Sequence, residues 1–494
     1  MANGAASARW APRQLALWSF SGLIVVSLAG AVVSELPLLA AIPVGVLAGY
    51  HFLRSFSLPF WLLLFSIPFS TEVSLPGGLG TDLPSEPLMW VIFGLSIVFL
   101  ARHGASLSAA PLRHRITLLL IIHLAWIAFS SLHSQAEIVS LKYLLAKLWY
   151  VVAFFGLGVW CLNEKAAFKR FFWLIFSGLS LTVVVVLIRQ AMMGFAFDGI
   201  NTVMGPFYRN KVMYACLIVM FLPFVWYALR WYAPGTRWRW VLNAGVVLFL
   251  TGIYFSYTRA AMGGVLIAIV STFMIRWKMT RYVILAALLT TGVLLTWLST
   301  QYTYLKFAPN YERTVYHEKF DNLLAATYKL EDISTMERAY RWVAGAYMVA
   351  DRPLLGFGPG TFYFFYRSYT VLSFQTYVSD NPEKSGVHNA YLMIATEQGL
   401  PGLLVYLALI VVVLLVGENT WHRLGPGWRR DMVMAALLSL IIMHALQIMN
   451  DLAETVKAGS LFFLCTAIIV NMSLYVSSKN QKESETLPPE EPAP

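Results

Sequence analysis

Between Thr335 and Gly402 the chain sets proton-moving and anion-binding side chains beside the start of a long apolar run. The stretch opens TMERAYRWVAGAYMVADRPLLGFGPGTF and closes GVHNAYLMIATEQGLPGLLVY. His388 ends its polar part. An imidazole with the ordinary pKa of about 6.5 can take a proton from a hydroxyl near neutral pH. The same residue can also anchor a helix end at an interface, and residue type alone leaves both readings open. Asn389 is placed to cap a helix beginning at Ala390. Arg338 and Arg341 stand at i and i+3, so one helix face can carry both. Their planar forks match phosphate oxygens, although an amphipathic helix touching lipid headgroups would use the same residues. Trp342 adds an aromatic surface beside them, or an interface anchor.

Other candidates lie outside this stretch or deeper in it. Arg259, in YFSYTRAAMGG, sits between two apolar runs with hardly any loop, where a charge is costly unless it faces a cavity, a partner or headgroups. Asn210, in GPFYRNKVMYACL, opens another run with Arg209 and Lys211 beside it; it is either a helix cap or part of an anion site. Glu397 falls about two turns into the run after His388. Asp451 and Glu454 follow a later run, where acids orient a base or an arginine or form structural pairs. Gly356 to Gly360 (GFGPG) reads as a turn, because its spacing is not GxGxxG and no strand precedes it. No Walker, HExxH or DxD-type pattern is evident.

The elements that must position these residues are helices in a membrane. Of 494 residues 58% are hydrophobic and 12% charged, against roughly 25% charged in soluble domains. Apolar runs near 15–34, 36–50, 56–70, 86–101, 115–133, 143–161, 170–194, 210–229, 238–255, 259–275, 282–300, 389–416, 431–450 and 457–477 predict an all-α polytopic membrane protein of about 12–14 spans. Backbone satisfied within each run excludes barrel strands. Cys161, Cys216 and Cys465 lie inside apolar runs with no disulfide or zinc spacing. The first run is long and lacks a cleavage site, so no cleavable signal peptide is expected.

The net charge of +11 is mostly topological. One set of short loops carries Arg9/Arg13, Arg54, Arg102/Arg113/Arg115, Lys165/Lys169/Arg170, Arg230/Arg237/Arg239, Arg276/Lys278/Arg281 and Arg423/Arg429/Arg430, and the alternate loops carry almost none. The positive-inside rule then puts both termini in the cytoplasm and the His388 stretch outside, and makes nucleic acid an improbable partner. The expected organisation is a transmembrane bundle over 1–300 with about 11 spans, a large outer loop over 301–388, C-terminal spans over 389–477 and a disordered, proline-rich tail over 478–494. Within the loop, Tyr311–Ala325 and Ser334–Ala350 have apolar residues at helical spacing and predict short amphipathic helices, the second stopped by Pro353.

These residues together resemble the bacterial O-antigen ligase and polysaccharide polymerase superfamily. The matching pieces, in order, are the Asn of GPFYRN (Asn210), SYTR ending at Arg259, R-x3-W (Arg338, Trp342) followed by PLLGFGPG (Pro353 to Gly360), and HNAYL with EQGLPG (His388 to Gly402). They cover roughly residues 205–405; the earlier spans are similar only in hydropathy. The chain departs from the family in having Tyr208-Arg209 before Asn210. The resemblance implies a GT-C-type, metal-independent, inverting glycosyltransferase of the bacterial inner membrane with its active site in the periplasm and no cofactor. Its donor would be an undecaprenyl-diphosphate-linked glycan. Its acceptor would be a lipid A core sugar or a second lipid-linked glycan, with protein hydroxyls a further possibility. On that pattern His388 is the base, with His317 the fallback, and Arg259 and Arg338 hold the diphosphate. Asn210, Arg209, Arg341, Trp342, Asn389 and Glu397 line the substrate. A transporter or flippase of the lipid-linked glycan is the competing class, since many spans and intramembrane charge suit it too.

Overall fold

In a computed structural model the described residues are 12–33, 57–75, 79–104, 108–197, 199–308, 333–375, 379–381 and 385–485, with single residues between 42 and 52. The chain divides into two compact units, Met1–Leu62 and Leu63–Pro494. In the first, α1 (Pro12–Val33) is an apolar helix, and α2 (Ser57–Ser66) begins near the unit's end. The expected run 36–50 and the helix over Tyr311–Ala325 fall wholly or largely outside the described residues, as does His317.

Among its described residues the regular structure of the second unit is helical apart from one hairpin, β1 (Thr71–Leu75) with β2 (Leu79–Leu83), antiparallel with Thr71 opposite Leu83 and Glu72 opposite Asp82. Its helices are α3 (Ser85–His103), α4 (Arg115–Leu132), α5 (Glu137–Cys161, with a π turn at Val151–Gly156), α6 (Lys165–Met192), α7 (Lys211–Ala228), α8 (Arg237–Phe255), α9 (Arg259–Arg276), α10 (Thr280–Ser299), α11 (Ile333–Asp351), α12 (Ala390–Arg423), α13 (Trp428–Leu446) and α14 (Val456–Glu485). Among the described residues ten helices are long and apolar enough to cross a membrane. The protein is an all-α polytopic membrane protein. The span positions follow the hydropathy closely because an apolar helix needs no partner to satisfy its backbone in lipid.

Two features depart from the sequence reading. Residues 71–75 and 79–83, between the apolar runs expected at 56–70 and 86–101, pair as strands, and α14 continues through Glu485, so residues 478–485 of the expected disordered tail are helix.

α13 is the centre of the packing. Its side chains from Met432 to Leu440 are buried, and it packs against α7, α9 and α14. A helix apolar all round belongs inside a bundle. α10 is its opposite: only Thr280 is buried, and the remaining apolar side chains face outward. α11 is amphipathic and packs against the start of α12. Tyr340, Ala344 and Met348, one helical turn apart, are buried against Phe357, Phe362, Tyr366, Phe374 and Val387, and Met336 one turn earlier is buried too. This small core ties the loop residues before His388 to α11.

Candidate active site

The site is built where α11, the start of α12 and the end of α13 meet. Asn389 caps α12, its side chain accepting from Leu392 N at 3.0 Å, and Ala390 N donates to Gln447 O at 3.0 Å just past α13. His388 therefore stands at a fixed helix start. Its backbone is left-handed, with φ 57°, a conformation costly for a residue with a Cβ. It is held there by Asp451, whose Oδ2 accepts from His388 N at 3.1 Å. A Cβ on Gly386 would lie 2.7 Å from the same oxygen, so only glycine lets the chain pass the carboxylate this closely. Asp451 Oδ1 is buried without a hydrogen-bond partner among the described residues.

Two arginines face this turn from α11. Arg338 Nε donates to Met449 O at 3.3 Å, and its Nη1 donates to Ser334 Oγ at 2.7 Å. Arg341 is buried, pairs with Glu337 at 3.5 Å and donates to Gly386 O at 3.3 Å. Burial first, then these two guanidinium groups, push His388 from the ordinary 6.5 down to about 3. Its imidazole is neutral at any working pH, as a proton acceptor must be. Burial raises Asp451 to about 6, against the lowering effect of the His388 and Asn389 N–H groups. Trp342 packs on the loop core rather than standing out as an interface anchor, and its Nε1 is buried without a hydrogen-bond partner among the described residues.

Glu397 has a different place. Its two oxygens accept from Gly360 N at 2.8 Å and Phe362 N at 3.0 Å. α12 is broken at Gly399 (φ 71°), which leaves carbonyls of the preceding turn without helical donors. The glycine-rich turn supplies them: Phe357 N bonds Thr396 O at 3.0 Å, Gly358 N bonds Glu397 O at 2.9 Å, and Leu400 N returns to Pro353 O at 2.7 Å. From the other side Ser140 Oγ donates to Pro359 O at 2.8 Å and Gln135 N to Phe357 O at 3.0 Å. GFGPG and EQGLPG are thus two halves of one lock that fixes the loop to α12.

A second basic group stands at the N-termini of α7 and α9. Asn210 caps α7, accepting from Met213 N at 3.0 Å, with Arg209 exposed before it and Lys211 after. Arg259 is the first residue of α9, and Thr258 Oγ1 donates to Lys211 O at 3.4 Å, which joins the two helix starts. Free N–H groups and the helix dipole make such ends attractive to anions. α13 packs against both helices, and the residues just past its end, Gln447, Met449 and Asp451, meet Ala390, Arg338 and His388, so one helix links both groups.

Residues 244–407 match the family model described as O-antigen ligase. This match supports the resemblance to the O-antigen ligase/polymerase superfamily over that segment. No curated protein matches the chain. In general terms the match supports a glycosyltransferase of the O-antigen ligase/polymerase type. The matched O-antigen ligase segment contains Arg259, Arg338, Arg341, Trp342, His388, Asn389 and Glu397; Arg209, Asn210 and Asp451 lie outside it. Sequence reading did not single out Glu337, the buried acid that orients Arg341, although its i, i+4 spacing was a usable signal.

Proposed function

We propose that the chain transfers a glycan from undecaprenyl diphosphate to an acceptor hydroxyl with inversion, at the outer face of the bacterial inner membrane. The observation that carries this reading is His388 fixed at a helix start by Asp451, with Arg338 and Arg341 of α11 bonded to Met449 O and Gly386 O around the same turn. His388 takes the acceptor proton as the acceptor oxygen forms its bond to the anomeric carbon. The bond from that carbon to the diphosphate breaks on the opposite face, and its electron pair leaves on the diphosphate oxygen. Arg338 and Arg259 stabilise that charge as preorganised cations, the role a metal has in other transferases. Arg209, Asn210 and the starts of α7 and α9 receive the diphosphate, and Trp342 and Asn389 border the glycan. Arg341 and Glu397 act by holding the His388 turn and the glycine-rich turn.

The acceptor is either a lipid A core sugar or a second lipid-linked glycan. The test is purified protein with an undecaprenyl-diphosphate oligosaccharide, EDTA and each acceptor in turn. Undecaprenyl diphosphate released with a glycosylated core lipid makes it a ligase, and longer lipid-linked chains make it a polymerase. Lipid-linked glycan that crosses the bilayer with its diphosphate bond uncut would overturn the reading in favour of transport.

A further inference from the structure

α7, α9 and α13 carry a second cleft at the ends remote from His388. Arg230 lies in the turn closing α7, Arg276 is the last residue of α9, and Arg430 and Asp431 are in the first turn of α13. With Tyr227 and Trp421 they line a cavity of about 440 Å³. α13 has 19 residues, which at 1.5 Å per residue separates the cleft from the His388 end by roughly 28 Å, close to the ~30 Å of a bilayer's hydrocarbon core.

Loop arginines on this side are expected from the topology alone, and ordinary ones spread into water. These converge. Asp431 pairs with Arg230 at 2.9 Å, so three arginines less one aspartate leave a surplus of two positive charges (3 − 1 = 2). Aromatic faces hold two of the guanidinium groups in place: Arg430 lies 4.0 Å from the Trp421 ring centroid and Arg230 5.1 Å from that of Tyr227. Arg430 Nε is buried and has no hydrogen-bond partner among the described residues. Concentrated like charge with an unused buried donor is stable when an anion completes it.

We infer that this cleft binds the phosphate-bearing headgroup of an anionic phospholipid in the leaflet opposite the catalytic groups, and that a diphosphatidyl headgroup matches its surplus charge best. Basic pockets between spans recognise lipid in this way. The inference is independent of the acceptor and of the glycan reading. Soluble diphosphate shares the chemistry and is the competing source.

The experiment uses the full chain in neutral detergent, titrated with cardiolipin, phosphatidylcholine or inorganic diphosphate, and follows thermal unfolding and lipid retention by native mass spectrometry. Cardiolipin should be retained and raise the unfolding temperature, while phosphatidylcholine and inorganic diphosphate should do neither. Arg276→Gln alters an exposed terminal residue of α9 and so keeps the fold; it should weaken cardiolipin binding about tenfold, as should Arg430→Gln. Equal cardiolipin binding by the wild type and both variants would overturn the site. Equal stabilisation by phosphatidylcholine, or by inorganic diphosphate, would overturn the ligand.

Discussion

The main-chain N–H of His388 donates to Asp451 Oδ2 at 3.1 Å across a gap that Gly386 keeps open. This bond fixes the histidine through its backbone rather than through its imidazole. Holding a non-glycine residue in a left-handed conformation costs about 1–2 kcal/mol, and the acceptor at Asp451 offsets it. Asp451→Ala should therefore lower transfer strongly with little change in donor affinity. Asp451→Asn keeps an acceptor for the N–H and should retain most of the kcat lost in the alanine variant. Equal loss in both variants would point to a role for the charge rather than for the position.

The second expectation concerns pH. His388 is lowered from 6.5 to about 3, so between those values the folded chain binds fewer protons there than the unfolded chain. Its contribution to stability is complete above pH 6.5 and is lost as pH falls through that window. Asp451, raised from 3.8 to about 6, opposes this: the folded chain keeps its proton to higher pH, so acidification from about 6 to 3.8 adds stability. The histidine shift is the larger. A His388→Asn variant, whose side chain tolerates the left-handed backbone, should lose less stability than the wild type between about pH 6.5 and 4. It should also lose transfer by about 10²–10⁴-fold. Thermal unfolding across that range and one activity measurement check both.

Arg338 also acts on this titration, because its charge helps to keep His388 neutral. In Arg338→Gln the acid limb of kcat/KM should move toward neutral pH while transfer falls at every pH. An unmoved acid limb would mean that the titrating group is not His388.

Much of this was legible in the sequence, and the residues show why. The spans follow from composition because lipid forces each apolar run to bond within itself. α11 follows from Met336, Tyr340, Ala344 and Met348 at one-turn spacing, and the caps Asn210 and Asn389 from the residue type before each run. What stayed hidden were pairings between distant residues. Glu397 reads as a buried acid near a base, yet it meets Gly360 and Phe362, which precede it by 37 and 35 positions. The same holds for Asp451, 63 positions from His388. The strands at 71–75 and 79–83 are too short to separate from a loop by alternation.

Arg259 tests whether the basic group on α7 and α9 takes part in the reaction. Arg259→Ala should weaken binding of the diphosphate donor and lower kcat by about 10²–10³-fold, the size expected for one preorganised donor to a leaving group. Thr258 and Ser256, which form the tight connection before it, are untouched, so the unfolding temperature should stay near that of the wild type. Donor titration of the purified variant decides this: unchanged affinity and rate would leave only the His388 end as the reacting centre.

The last prediction separates holding from binding at Glu397. Its side chain is 2% exposed and both oxygens accept backbone N–H groups. In Glu397→Gln one of the two acceptors becomes an NH₂ donor and faces another donor, which costs about 1–3 kcal/mol for a buried N–H left unmet. The variant should unfold at lower temperature, and its transfer should fall in step with the loss of the glycine-rich turn. Gly399→Ala should behave in the same way, because its φ of 71° suits glycine and an added Cβ would lie 2.2 Å from Leu354 O. If Glu397 instead contacts the glycan, Glu397→Gln would keep the wild-type unfolding temperature and lose substrate affinity, and Gly399→Ala would not share that pattern.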